Sequence, residues 1–456
     1  MNRIAKRSYF MYTFALAFLI GLVLLFFNMQ INSTKWVIKD YNKHLYTNGE
    51  LLAAGSITDT YGTVLAETKD GKREYNSDKN IRMATLHVVG DTAGFISTGA
   101  QNAFKTELTG YSHLTGVYNL KKDGAGKNIQ LSINAKLSVT AMKAMGSYQG
   151  TVGIYNYKTG EIICAVSMPT YDLYNKPKDI ATDKTDKYEG IYMNRFFTGL
   201  YTPGSTFKIV TACSAIDNII DINTRTFTCN GAWVNKVGNK VKCNGVHGTR
   251  NFEGALNCSC NTAFAGLAAE LGNEKLTKTA EQCGFNQTIT VDNFRCARSR
   301  FDLSKAYDID RAWAGIGQYT TMVNPCHMAT MLGAIANRTG YTPEPTLIKG
   351  KYTSKINFMG SVSAKRLDNM LRSNVMNYYK DSRFPNLDMC GKTGTAEVST
   401  GRPHAWFVGY SQRPDLPFVI IVVLENSGGT GIGTAVPVAN QVMQEALKLY
   451  VTNYMH

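Results

Sequence analysis

Three short clusters carry the chemistry available to this 456-residue chain. Ser205-Thr-Phe-Lys208 comes first, Ser259-Cys-Asn261 second and Lys392-Thr-Gly-Thr395 third. The second begins 54 residues after the first, and the third 133 residues after the second. A serine with a lysine three positions on suits nucleophilic catalysis, because on a helix the two side chains share a face. Pro203-Gly204 breaks the chain just before, which predicts Ser205 at a helix start. A helix dipole disfavours an ammonium there, and a second cation at Lys392 would push the same way. Lys208 is therefore expected as a neutral amine that takes the Ser205 proton. The reaction implied is acyl transfer: the Ser205 oxygen attacks an amide carbonyl, the amine leaves and an acyl-enzyme remains. Gly394 would let its strand approach without a side-chain clash.

Each cluster alone is weak. Ser205 alone reads as an N-cap, Lys208 as a solvated lysine, Ser259 and Asn261 as a second cap, and Lys392 to Thr395 as a turn. Decoys exist too. Lys158-Thr-Gly160 precedes Ser205 on an expected hairpin turn, and Ser132-Ile-Asn134 repeats the second pattern. Order, spacing and flanks select one combination. The stretch from Asn194 through Arg195 and Pro203-Gly204 to Lys208 resembles the nucleophile segment of class B penicillin-binding proteins. His247-Gly248, Ala255-Leu256, Gly315 to Gln318, Asn324-Pro325, Met328-Ala329 and Cys390 to Glu397 match the same family.

The resemblance implies an α+β fold, with an antiparallel sheet flanked by helices as in penicillin-binding and β-lactamase-like domains. It implies backbone N–H groups of Ser205 and Thr395 as the oxyanion hole. Ser259 would relay a proton to the leaving amine, and Asn261 would hold the substrate amide and orient Lys208. Lys392, Thr393 and Thr395 would bind the terminal carboxylate. The expected activity is a D,D-transpeptidase that cross-links peptidoglycan stem peptides and is acylated by β-lactams. No metal and no organic cofactor is expected. Alternatives are a β-lactam-hydrolysing enzyme, a D,D-carboxypeptidase, or a non-catalytic penicillin-binding sensor or scaffold. A deacylating Glu-x-x-Leu-Asn segment between Ser259 and Lys392, as class A β-lactamases carry, is missing.

Those clusters need a scaffold and a location. Tyr9 to Phe27 is almost wholly apolar, long enough to cross a hydrocarbon core of about 30 Å. Arg3, Lys6 and Arg7 before it predict a cytoplasmic N-terminus, with the catalytic part outside. Asn28-Met-Gln-Ile31 lacks a small-x-small cleavage site, so an uncleaved single-pass anchor is expected over 9–31 after a tail of 1–8. Lys plus Arg number 49 against 34 Asp plus Glu, a net charge of +15. Outside the cell that charge fits anionic envelope polymers and lipid headgroups rather than nucleic acid.

Residues 35–128 read as a short pedestal of strands and turns, joined at Asp123-Gly-Ala-Gly126 to a catalytic domain over 129–456. Gly55 to Asp59 resembles the family's pedestal motif, although Ala54 and Thr60 replace its flanking arginines. A hairpin is expected over Thr151 to Ser167, and strands over Ala405 to Tyr410 and Phe418 to Leu424. Helices are expected over Ser132 to Met145, Phe207 to Ile220, Asn261 to Leu271, Pro325 to Asn337 and Val438 to Tyr454. Early and late strands would share one sheet. No glycosyltransferase domain fits before the catalytic part, so the resemblance implies a partner, a polytopic SEDS-type glycosyltransferase.

Ten cysteines remain. Cys164 and Cys213 sit in core-like runs. Cys229 and Cys243 bracket a polar loop and are candidates for a local disulfide. Cys258-Ser-Cys260 suggests a metal, but no matching pair stands at zinc-finger spacing, so zinc is not expected. His247 and His404 read as structural or loop residues, and Trp313 and Trp406 as core.

Overall fold

Phe418-Val-Ile-Ile-Val-Val-Leu424 is an unbroken apolar run, and a strand built from it must be covered on both faces. The computed structural model describes residues 2–37, 46–47, 50–51, 54–110, 126–399 and 401–451. It places that run at the centre of a five-stranded sheet. The strands are β1 (Gly150–Asn156), β2 (Ile162–Met168), β3 (Met389–Ala396), β4 (His404–Ser411) and β5 (Phe418–Leu424). Their order is β3-β4-β5-β1-β2, with every neighbour antiparallel. Early and late strands thus meet in one sheet, as the hydrophobic pattern predicts.

All seven residues of β5 are buried, and alternate side chains enter two layers. The helices are α1 (Asn2–Val37), α2 (Lys79–Val89), α3 (Ala135–Met145), α4 (Lys208–Asn218), α5 (Asn261–Gln282), α6 (Pro325–Ala336), α7 (Ser361–Ser373) and α8 (Val436–Tyr450). Phe418, Ile420, Val422 and Leu424 join a core with Leu137 and Met145 of α3 and Val442 and Met443 of α8. The opposite face carries α6, which packs on β1, β4 and β5. Every residue of α6 from Pro325 to Ile335 is buried, as a helix apolar on all sides requires. Its N-cap, Asn324, accepts from His327 N at 3.1 Å and donates to the carbonyls of Phe197 and Gly199, each at 2.9 Å. The core helix therefore grips the segment that leads to Ser205.

Contacts gather the chain into two units whose segments alternate along the sequence. One comprises Met1–Ile57, Ala66–Glu74 and Phe104–Ile129; the other comprises Thr58–Leu65, Tyr75–Ala103 and Gln130–His456. In the first unit, Ile4–Met29 of α1 is long and apolar enough to cross a membrane, and its side chains are exposed. The family's flanking arginines are missing at Ala54 and Thr60, yet Arg73 reaches that stretch and donates to Gly55 O at 2.8 Å. The joint at Asp123-Gly-Ala-Gly126, apart from Gly126, lies outside the described residues, as do 452–454 of the expected last helix.

In the larger unit, α2 departs from the expectation of strands and turns before residue 128. Asp78 caps it by accepting from Asn80 N at 2.8 Å. Leu86, Val88 and Val89 are buried, and Arg82 forms a two-pronged pair with Asp172 at 2.7 and 2.8 Å. A polar composition hid a short amphipathic helix.

A second buried ion pair fixes the approach to Ser205. Arg195 Nε donates to Glu425 Oε1 at 2.7 Å, and Tyr201 Oη donates to the same oxygen at 2.6 Å. Arg195 also donates to the carbonyls of Gly190 and Glu189. With side chains only 1% and 12% exposed, removal of one partner strands a buried charge. Glu425→Ala should therefore lower unfolding stability by about 3–5 kcal/mol in a urea titration. Arg225→Ala, which breaks surface pairs with Asp221 and Glu270, should cost about 1 kcal/mol or less. Equal losses would contradict this account.

Candidate active site

Ser205 lies in a 3-10 turn, Gly204–Phe207, and α4 begins only at Lys208. The helix expected to open at Ser205 is thus preceded by a tighter turn. The turn is held from three sides. Gly204 takes φ +53°, and a Cβ there would stand 2.8 Å from Thr395 O. Gly204 N donates to Gly317 O at 2.9 Å. Trp406 Nε1 donates to Thr202 O at 3.0 Å, and its ring is fully buried. Ser205 itself remains half-exposed.

The second cluster is brought directly to Lys208. Its Nζ donates to Ser259 O at 2.6 Å, Ser259 Oγ at 3.1 Å and Asn261 Oδ1 at 2.7 Å. Lys392, from β3, donates to the same Ser259 Oγ at 2.9 Å and to Thr393 O at 3.0 Å. Two fully buried lysines therefore converge on one hydroxyl. Ser259 is held at φ +54°, a left-handed conformation that costs a residue with a side chain about 1–3 kcal/mol. Its position between two amines gives that strain a use.

Burial pushes the Lys208 amine down to about 7, with the nearby Lys392 as the second cause. Lys392 is pushed down to about 7 by burial as well. Removal from water is the largest cause for both amines. Each amine holds its proton less tightly folded than unfolded, so the unfolded chain binds more protons above about pH 7. Their contribution to stability consequently rises with pH from about 7 toward the ordinary lysine value of 10.5.

On β3, Thr393 and Thr395 are half-exposed while Lys392 and Gly394 are buried, the alternation of a strand. A Cβ on Gly394 would lie 2.7 Å from Pro203 O and 3.0 Å from Thr206 Cγ2. The third cluster thus lies against the Ser205 turn, and only glycine permits that approach. Thr395 Oγ1 accepts from Gly431 N at 3.3 Å. Thr393 is held by Tyr379, whose hydroxyl lies 2.8 Å from Thr393 Oγ1 and accepts from Thr393 N at 2.9 Å. Asn374 donates to Gly391 O at 2.7 Å. Tyr379 and Asn374 carried no signal in the sequence, because they fall in an irregular π-helical segment. His404 accepts from Asn426 N at 3.0 Å, a structural role.

One cysteine expectation needs correction. All ten cysteines are free thiols, so Cys229 and Cys243 form no disulfide. Their sulfurs instead lie 3.6 and 3.4 Å from His247 Nδ1. Cys260 joins that group, whereas Cys258, its neighbour in the suspected motif, does not.

Residues 150–444 match the family model described as penicillin binding protein transpeptidase domain. The chain belongs to that family. The class B resemblance of its motifs stands, and the sheet between helices is the penicillin-binding transpeptidase fold. Peptidoglycan D,D-transpeptidase PbpA of Mycolicibacterium smegmatis is 26% identical over 408 residues, 78% of this chain and 80% of that one. Stage V sporulation protein D of Bacillus subtilis is 26% identical over 72% of this chain but only 54% of its own length. Among solved structures, the D,D-transpeptidase domain of a peptidoglycan glycosyltransferase from Eggerthella lenta superposes with a TM-score of 0.73 at 27% identity, covering 88% of this chain and 99% of that one. Penicillin-binding protein A of M. tuberculosis, as its ceftriaxone acyl-enzyme complex, shares the fold at TM-score 0.74 and 22% identity, covering 86% and 98%.

The contact of Gly394 with the Ser205 turn is open to test. Gly394→Ala should move β3 outward and slow penicillin acylation by about 100-fold. Gly360→Ala, where a Cβ meets nothing within 4 Å, should leave the rate unchanged. Equal rates for all three proteins would refute a tight fit at this position.

Proposed function

We propose that the chain is a membrane-anchored serine D,D-transpeptidase that cross-links peptidoglycan stem peptides through an acyl-enzyme on Ser205. The observation that carries the reading is the convergence of buried Lys208 and Lys392 on Ser259 Oγ, beside the turn that bears Ser205. Neutral Lys208 can donate its two N–H groups to Ser259 O and Asn261 Oδ1, which leaves its lone pair for the Ser205 proton. The Ser205 oxygen attacks the carbonyl of the penultimate D-Ala. Backbone N–H groups of Ser205 and Thr395 receive the oxyanion, one such donor being worth about 3 kcal/mol. Ser259, in contact with both lysines, passes a proton to the departing D-Ala nitrogen. Thr393, Thr395 and Lys392 hold the terminal carboxylate, and Asn261 the substrate amide. The amine of a second stem then attacks the ester, with proton transfers reversed.

A β-lactam presents the same amide within a strained ring, so it acylates the same oxygen. The apolar α1 supports a single-pass anchor with the catalytic part outside, and Arg3, Lys6 and Arg7 support a cytoplasmic N-terminus. A polytopic SEDS-type glycosyltransferase would supply the glycan strands.

Labelling with a fluorescent penicillin tests the nucleophile: wild type should label covalently and Ser205→Ala should not. Persistent covalent labelling of that variant sinks the assignment. The free-amine fraction of Lys208 grows with pH. The acylation rate should therefore climb about tenfold per pH unit below 7 and level off above it. A rate flat from pH 5 to 8 would exclude a titrating lysine as the base.

A further inference from the structure

Four residues far apart in sequence bring three sulfurs and one imidazole nitrogen together next to the Ser259 segment. Cys229 ends the strand Thr226–Cys229, and Cys243 follows the strand Lys240–Lys242. His247 immediately precedes the strand Gly248–Asn251, and Cys260 is the N-cap of α5, between Ser259 and Asn261. Their ligand atoms all lie within 4.8 Å of one another. Cys243 Sγ stands 3.9 Å from Cys260 Sγ, and His247 Nδ1 stands 3.4 Å from Cys243 Sγ and 3.6 Å from Cys229 Sγ.

These separations have a specific meaning. Zinc binds thiolate at about 2.3 Å and imidazole at about 2.0–2.1 Å, so a regular tetrahedron has sulfur–sulfur edges of about 3.8 Å and sulfur–nitrogen edges of about 3.6 Å. The three edges just given are within about 0.2 Å of these values, and the other three do not exceed 4.8 Å. A disulfide would need sulfurs about 2 Å apart. Two backbone groups already point at the sulfurs: Asn261 N donates to Cys243 Sγ at 3.1 Å and Ala263 N to Cys260 Sγ at 3.4 Å. Amides directed at sulfur are the usual outer partners of metal-bound thiolates.

We propose that Cys229, Cys243, His247 and Cys260 form a tetrahedral zinc site that fixes the Ser259–Asn261 segment. Three thiols and one imidazole favour zinc over calcium or magnesium, which take oxygen ligands. Four protein ligands leave no open position, so the site is structural rather than hydrolytic. On binding, the three thiols release three protons to solvent and the metal takes three thiolate lone pairs and one from Nδ1. The metal joins two hairpin segments to the N-cap of α5, and Asn261 Nδ2 adds a bond to Lys242 O at 2.9 Å. Ser259 and Asn261, flanking Cys260, are the residues that hold Lys208. The four ligands are thus positioning residues, and this part of the inference rests on the catalytic reading above.

The test uses the full chain purified in detergent. After dialysis against metal-free buffer, mass spectrometry should find one zinc per chain in wild type and in Cys258→Ser, and about tenfold less in Cys243→Ser and His247→Ala. Replacement of zinc by cobalt should give the intense visible bands of a tetrahedral thiolate complex, a readout independent of activity. Removal of zinc by a chelator should slow fluorescent-penicillin acylation by about 10–100-fold, with recovery on adding zinc back. Wild type without stoichiometric metal and without the cobalt spectrum overturns the site. A bound zinc whose removal leaves acylation unchanged overturns its positioning role while leaving Ser205 as nucleophile intact. Failure of Ser205→Ala to abolish labelling would instead strike the catalytic reading alone.

Discussion

Two lysine side chains are withdrawn from water and set against a single serine hydroxyl, and much of the larger unit serves that arrangement. An ammonium in such a place loses its hydration, and a second one nearby adds repulsion. The chain meets this cost by offering Lys208 a carbonyl, a hydroxyl and an amide oxygen from one short stretch, Ser259 to Asn261. It also leaves the proton weakly held. An amine that loses its proton near pH 7 keeps two N–H groups for two of these acceptors and a lone pair suited to remove a proton from an alcohol. The left-handed backbone of Ser259 is the local strain that allows its hydroxyl and its carbonyl to face the same amine.

Rigid elements hold the three pieces in place. β3 lies at the edge of the sheet, so one side of its Lys392–Thr395 end is free of sheet partners and can meet substrate. Gly394 brings that strand against the Ser205 turn, while Arg195 and Glu425 lock the approach to the turn onto the end of β5. Asn324 ties the same approach to α6. A metal held by the cysteine and histidine cluster would do for the Ser259 segment what these contacts do for the other two. A site assembled from residues 187 positions apart in sequence needs each piece anchored separately.

Much of this was legible in one dimension. The apolar run of β5 was placed without error, and the hairpin of β1 and β2 and the helix α6 within a few residues, because burial on both faces leaves unbroken apolar runs. Other features left no such trace. α2 is short and polar on its outer face, and the carboxylate that pairs with its buried Arg82 belongs to Asp172, far away in sequence. The 3-10 turn at Ser205 depends on contacts with Gly317 and Thr395 rather than on its own residues. Tyr379 and Asn374 act through a π-helical segment that no periodicity announces. The cluster of Cys229, Cys243, His247 and Cys260 left no trace because its spacing of 14, 4 and 13 residues fits no familiar finger, and only folding brings the four together.

Read in one dimension, the chain already shows the three polar clusters, their order, the apolar helix before them and the sheet that gathers both ends. Residue type and hydrophobic period suffice for those, since they are properties of the chain read locally. Tertiary structure alone decided how far the two amines are dried, which carbonyl and hydroxyl hold them, and that three sulfurs and a ring nitrogen share one corner. Dehydration and coordination depend on distances between segments remote in sequence, and such distances do not exist until the chain has folded.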